Sequence, residues 1–257
     1  MKKKSFIFFF LGSSILLIIN LKANKRNSNK KSKAVIFGST GANFSYQLGV
    51  TKYMQEKFNL ENYKFCGISG GCQSAFALSY NIQVDYIFNE FVLNLFNKNN
   101  KKSYYKTFEN AKKRLKEIII KENLSINKSK DNLYVCMTKF LPYFNSHTAF
   151  NFNNFDELCD SFIASQCIPF VLGIPYTKYK NCICIDGFFS SIFYYYPTNE
   201  NWINVNIYNF NIYYYITGFI LFNKLYDESY HKKLYLKGYN DAKKSHNIFI
   251  KKGLIEK

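Results

Sequence analysis

The chain has 257 residues, 47% of them hydrophobic and 19% aromatic, which excludes a disordered polymer and leaves room for one sizeable core. Lys and Arg number 35 against 17 Asp and Glu, a formal charge of +18 that favours anionic partners. No zinc-finger spacing, aromatic-basic signature strand or basic heptad helix accompanies this charge, so nucleic acid is not the expected partner and an anionic membrane surface is the better match. The seven cysteines are odd in number, lie mostly in apolar runs and form no CxxC pair. They read as buried free thiols rather than a zinc site or a disulfide framework.

Residues 1–21 begin with three lysines and continue as an apolar run from Phe6 to Leu21. The run is longer than a signal-peptide core and shorter than a full membrane span, so the segment is expected to be a signal peptide or a signal anchor. Residues 22–32 form a basic polar linker that outweighs the lysines before the run, which in an anchored chain places the remainder on the cytoplasmic side. The sequon Asn43-Phe44-Ser45 agrees, because a lumenal chain would offer a glycosylation site in a loop that the candidate site uses.

Residues 33–257 read as one domain. Ala34 to Phe37 is a short apolar run ending at Gly38, as in a buried parallel strand. The small-residue turn Gly38-Ser39-Thr40-Gly41-Ala42 leads into a helix that carries Tyr46, Leu48, Val50, Tyr53 and Met54 and runs to Lys57. A second unit repeats the pattern: strand Tyr63 to Cys66, turn Gly67 to Gly71, and a small-residue helix from Cys72 to Ser79. Residues 85–122 are helical in pattern, with a basic patch at Lys112, Lys113, Arg114 and Lys116. Leu133 to Thr138 predicts a central strand. Phe155 to Gln166 predicts a helix, with Asp156 and Glu157 suited to its positive end. Cys182 to Ile185 predicts a strand that stops at Asp186-Gly187, and a helix near Lys237–Lys244 closes the chain. Alternating strands and helices imply an α/β domain with a mostly parallel sheet covered on both faces.

The chemistry centres on Gly67-Ile68-Ser69-Gly70-Gly71, a G-x-S-x-G pentapeptide between an apolar strand and a small-residue helix. A serine on so tight a turn needs glycines around it, since side chains there would strike the neighbouring elements. The turn then presents its hydroxyl near the positive end of a helix. Ser69 is the candidate nucleophile, and the loop Ser39-Thr40-Gly41-Ala42 is placed to supply backbone donors to an oxyanion. Asp186, directly after an apolar strand and before Gly187, is the candidate base. His147 is an alternative base in a Ser-His-Asp arrangement, whereas His231 and His246, in a Lys-rich tail, read as solvated.

Taken together, these segments resemble the patatin-like phospholipase family, closest in style to its animal lipid acyl hydrolases. Gly38-Ser39-Thr40-Gly41 through Gly49 resembles the family's oxyanion loop and helix, and Gly67 to Gly71 its nucleophile elbow. Ala164-Ser165-Gln166-Cys167-Ile168-Pro169 resembles the A-S-x-x-I-P stretch, Asp186-Gly187 the D-G of the dyad motif, and Gly238-Tyr239-Asn240-Asp241-Ala242 a G-Y-x-D-A helix. The resemblance implies a three-layer α/β/α fold and a Ser-Asp dyad of Ser69 and Asp186. It further implies oxyanion donors at Thr40 and Gly41, and motif glycines at Gly67, Gly70, Gly71 and Gly187. No cofactor or metal is implied. The implied substrates are acyl esters of phospholipids or neutral glycerolipids at a membrane or lipid-droplet surface. Departures concentrate in the oxyanion loop, where Ser39 and Thr40 replace glycines, Asn43 a basic residue and Phe44 a glycine; Phe188 also replaces a small residue after Asp186-Gly187. A catalytically impaired, membrane-associated lipid-binding relative is the alternative.

Overall fold

The computed structural model describes residues 33–97, 106–171, 174–191 and 202–257. The expected apolar segment 1–21 and basic linker 22–32 lie outside the described residues. Among the described residues, no helix is long and apolar enough to cross a membrane.

Seven strands form one sheet: β1 (Ala34–Phe37), β2 (Lys64–Ile68), β3 (Leu133–Leu141), β4 (Asn145–Ala149), β5 (Thr177–Tyr179), β6 (Cys182–Ile185) and β7 (Ile203–Val205). The order is β5-β6-β3-β2-β1-β7, with β4 paired to β3 off this path. Strands β7, β1, β2 and β3 run parallel. β4 and β6 run against β3, and β5 against β6. The helices are α1 (Phe44–Lys57), α2 (Cys72–Tyr80), α3 (Thr107–Lys121), α4 (Phe155–Gln166), α5 (Gly187–Ser191), α6 (Ile212–Gly218), α7 (Glu228–Lys244) and α8 (His246–Lys251). Helices flank the sheet, and the arrangement is that of a three-layer α/β/α fold.

The strand sequences explain the layering. Side chains alternate between the faces of a strand. Val35, Phe37, Phe65, Leu133, Val135 and Met137 join the main core with the helices. Ile36, Cys66, Ile68, Tyr134 and Cys136 form a second apolar cluster, against Trp202. Helix α1 packs along α7, and glycines let the two approach closely. A Cβ on Gly49 would stand 2.0 Å from the Tyr235 carbonyl oxygen, and one on Gly238 the same distance from that of Tyr46. Asp241 of α7 accepts a hydrogen bond from the buried Tyr46 hydroxyl at 2.8 Å and adds a polar tie between the same two helices.

Several expectations need revision. The stretch 85–122 is not one helix: a helical segment from Val84 passes into a π-helical stretch at Ile87–Leu93, and α3 begins only at Thr107. Strands β4, β5 and β7 are additions, since Thr177–Tyr179 and Ile203–Val205 have only three residues each and Asn145–Ala149 carries little apolar pattern. Helix α7 starts nine residues earlier than the segment near Lys237, at Glu228, capped by the Asp227 side chain, which accepts from the Tyr230 N–H. All seven cysteines are free, and all but Cys182 are buried.

Candidate active site

The pairing pattern of β3 brings the two candidate residues together. Cys136 is partnered by both Ile68 and Thr148, and Thr138 by both Ile185 and Ser146. A strand has two edges, so with β4 filling one edge from Val135 to Lys139, β2 and β6 must share the other. They meet it head to head. β2 climbs to Cys136, β6 descends to Thr138, and only Met137 separates their ends. Ser69 follows the last residue of β2 and Asp186 the last residue of β6, so both side chains are delivered to one point. The expected convergence at the carboxyl ends of the strands holds, but an antiparallel strand achieves it.

Ser69 adopts φ +52°, a left-handed conformation that costs a non-glycine residue about 1–2 kcal/mol and therefore has to be held by its surroundings. Ser165 of α4 does much of the holding. Its Oγ accepts the Ser69 N–H at 2.8 Å and donates to the Cys136 carbonyl at 2.5 Å, and the Cys72 thiol donates to it at 3.3 Å. The motif glycines make the turn possible. A Cβ on Gly67 would lie 2.5 Å from Cys72 Cα, one on Gly71 2.3 Å from the Phe37 carbonyl oxygen, and one on Gly70 2.0 Å from Thr40 Oγ1. Gly187 is equally confined, 2.4 Å from the Cys136 carbonyl by the same construction.

Asp186 is fully buried. Its Oδ2 accepts the Ser69 hydroxyl at 2.7 Å, and its Oδ1 accepts the Phe188 N–H at 2.8 Å. The backbone is fixed as well. The Asp186 N–H donates to the Cys167 carbonyl at 2.8 Å, and its own carbonyl accepts the Thr138 hydroxyl at 2.8 Å. Thr138 Oγ1 in turn accepts the Ser190 N–H at 2.9 Å. Burial pushes the Asp186 carboxyl up to about 7, although the Ser69 hydroxyl and the Phe188 N–H both pull it down. A carboxylate poised there takes a proton near neutral pH and can return it.

The histidines fall elsewhere. His147 lies in β4, opposite Met137 on the edge of β3 away from β2 and β6, so the strand stands between it and the dyad. Burial first, then Lys139 and Lys180, push its imidazole down to about 4. His231 is not solvated but wholly buried, bonded through Nδ1 to Ser45 Oγ at 2.8 Å and through Nε2 to the Leu225 carbonyl at 2.7 Å. His246 is half-buried against Tyr53 and Glu256.

The loop after β1 packs directly on the nucleophile turn. Thr40 is fully buried beneath Gly70, and its N–H engages no acceptor among the described residues. Gly41 has φ +56° and leaves no room for a side chain, since a Cβ would stand 2.2 Å from the Gly218 carbonyl oxygen of α6. Asn43 is fully buried and tied at both ends of its amide. Nδ2 donates to the Tyr214 carbonyl at 2.6 Å, and Oδ1 accepts the Tyr230 hydroxyl at 2.8 Å. The asparagine of the sequon is thus enclosed in the fold. Among the described residues no cluster of three or more His, Cys, Asp or Glu is arranged to hold a metal ion.

Two cavities meet at Ser69. The larger, about 60 Å³, has Gly41, Ser69 and Gly70 in its wall and runs between apolar side chains such as Phe44, Phe96, Phe108, Leu115, Phe162 and Leu225. The smaller, too tight to admit a water molecule, lies at the dyad and is walled by Ile168, Phe188, Phe189 and Phe219 together with Ser69 and Asp186. Ser165 and Thr138 are the site residues that sequence reasoning left without a role. Ser165 stood within a quoted motif, whereas nothing in the sequence marked Thr138. The sequence matches no protein-family model, and a search of curated proteins returns no match.

Proposed function

We propose that the chain is a serine acyl hydrolase of the patatin-like type, cleaving acyl esters of phospholipids or neutral glycerolipids with a Ser69–Asp186 dyad. The observation that carries this reading is the 2.7 Å hydrogen bond to a buried carboxylate from Oγ of Ser69, a residue in the wall of an apolar cavity. The Asp186 carboxylate accepts the Ser69 proton as Oγ attacks the ester carbonyl. Backbone N–H groups of Thr40 and Gly41, beside the positive end of α2, receive the developing oxyanion. Collapse of the tetrahedral intermediate expels the alcohol, which takes the proton back from Asp186. A nucleophile activated by the same carboxylate then releases the acyl group from Ser69.

The apolar cavity supports an acyl chain as the group bound, since its wall offers a chain burial and few polar partners. A lipid surface as the location of the substrate is supported by large apolar side chains exposed where β3 runs beyond the dyad and beside the oxyanion loop. Tyr143 is 78% exposed and Phe170 69%, and Phe140, Tyr213 and Ile220 are exposed as well. The net positive charge suits an anionic surface. The test is ester hydrolysis across a panel of phospholipids and acylglycerols. Release of fatty acid that disappears in both Ser69→Ala and Asp186→Asn is expected. Hydrolysis that survives either substitution overturns the dyad, and liposome binding by a folded protein that turns over no acyl ester favours the impaired lipid-binding relative.

A further inference from the structure

We propose that the site selects a short acyl group: the cavity beside Ser69 takes acyl groups up to butanoyl and excludes long fatty-acyl chains. This selectivity rests on the dyad reading above and adds the acyl class to it; the lipid character of the substrate then belongs to its alcohol part. An acyl group on Ser69 whose carbonyl oxygen is received at Gly41 sends its tail into the cavity that has Ser69, Gly41 and Gly70 in its wall. The space there is about 60 Å³. Pockets for drug-sized ligands run to about 300–1,000 Å³, and an apolar cavity of about 150 Å³ takes benzene, a molecule of six carbons. On that scale about 60 Å³ seats roughly two or three carbons, the tail of a propanoyl or butanoyl group. A palmitoyl tail has no room.

The wall is braced against widening. The rings of Phe44 and Phe96 stand 5.1 Å apart, and both pack on the His231 imidazole, at 5.1 and 5.9 Å. His231 is itself fixed, since one ring nitrogen is bonded to Ser45 Oγ and the other to the carbonyl of Leu225, another residue of the wall. This buried histidine, which takes no part in the dyad, thus supports the acyl cavity from behind. Helix α3 contributes Phe108, Ala111 and Leu115, and the Thr107 hydroxyl at its start shares a 2.7 Å hydrogen bond with the Tyr226 hydroxyl. On α4, Phe162 packs on Phe76 with ring centres 5.7 Å apart, and Gln166 accepts from the Gln73 amide at 2.7 Å. Admitting a longer chain would displace these groups, and close-packed interiors resist changes as small as one methylene.

The experiment uses the full chain and p-nitrophenyl esters of acetate, butanoate, octanoate and palmitate in one detergent, with kcat/KM read for each. A rise of about fourfold per methylene from acetate to butanoate is expected, as each added carbon is buried. A fall of about tenfold or more by palmitate should follow. Ala111→Leu adds three carbons to the wall of a space that holds about as many, and it should lower the butanoate-to-acetate ratio by about tenfold. Phe108→Ala removes a ring from the same wall and should move the optimum to a longer ester. Should either variant fail to fold, the profile of the parent chain decides alone. A parent profile that climbs through octanoate to palmitate, or is flat along the series, overturns the short-acyl selectivity and leaves the hydrolase reading standing. No nitrophenol release from any ester overturns the two together.

Discussion

At the residue scale, the site depends on a carboxylate kept out of water. With the Asp186 carboxyl near 7, the proposed hydrolysis would require its ionised form, so kcat/KM is expected to rise with pH through about 7 and to fall about tenfold per pH unit well below it. A profile that is flat through neutrality would remove Asp186 as the base. The same shift carries a stability consequence of definite sign. The unfolded carboxyl titrates near 3.8 and the folded one near 7, so between these values the folded state holds the extra proton and its stability declines as pH rises. Asp186→Asn is isosteric and has no charge to bury. Its stability relative to the parent, read by urea denaturation, should be unchanged near about pH 4 and should grow toward about pH 8, while hydrolysis is lost. A pH-independent difference would contradict the burial argument. Ser165→Ala leaves the Ser69 N–H and the Cys136 carbonyl without their shared partner, at a cost of about 1–3 kcal/mol in the same measurement and with slower acylation.

At the scale of elements, the strand-turn-helix around Ser69 was legible because an apolar run, a glycine-bracketed serine and a small-residue helix each demand the same local geometry. The position of Asp186 was legible as a residue at a strand end, but the reason it meets Ser69 was not. That meeting depends on β3 extending to Leu141, past the end of β2, so that β6 can dock on the vacated edge; strand length and edge choice are tertiary facts with no local signature. His231 was misplaced because its neighbours are lysines. Yet His231, Leu234, Tyr235, Gly238 and Ala242 recur at helical spacing and form the buried face of α7, a period that outranks local composition. The loop after β1, proposed to receive the oxyanion, is held by α6 and α7 through Asn43 as well as by the close approach of Gly41 to Gly218. Asn43→Ala should therefore cost about 1–3 kcal/mol and slow turnover. Because the nucleophile turn does not depend on this residue, Ser69 should remain accessible to a reactive probe. Turnover equal to the parent would show that the loop holds itself.

At the scale of the whole molecule, the basic charge and the exposed apolar side chains support the proposal that the chain works at a lipid surface. Tyr143→Asp combined with Phe170→Asp is expected to weaken sedimentation with vesicles rich in anionic lipid, and binding of the parent should fall as salt screens the charge. Unchanged vesicle binding in the double variant would place the lipid contact elsewhere. The α/β class and layered architecture were readable from the alternation of apolar runs and amphipathic helices, since a parallel core imposes that rhythm on the sequence. In the mixed half of the sheet β6 was legible as an apolar run, whereas β4 and β5, polar or only three residues long, broke the rhythm and left no comparable trace.

The most direct test of the dyad is covalent. A fluorophosphonate probe, followed by intact mass and peptide mapping, should place one adduct on Ser69 of the folded chain, none in Ser69→Ala, and a greatly slowed one in Asp186→Asn. A folded parent chain that takes no adduct, or an adduct that persists in Ser69→Ala, would contradict the account.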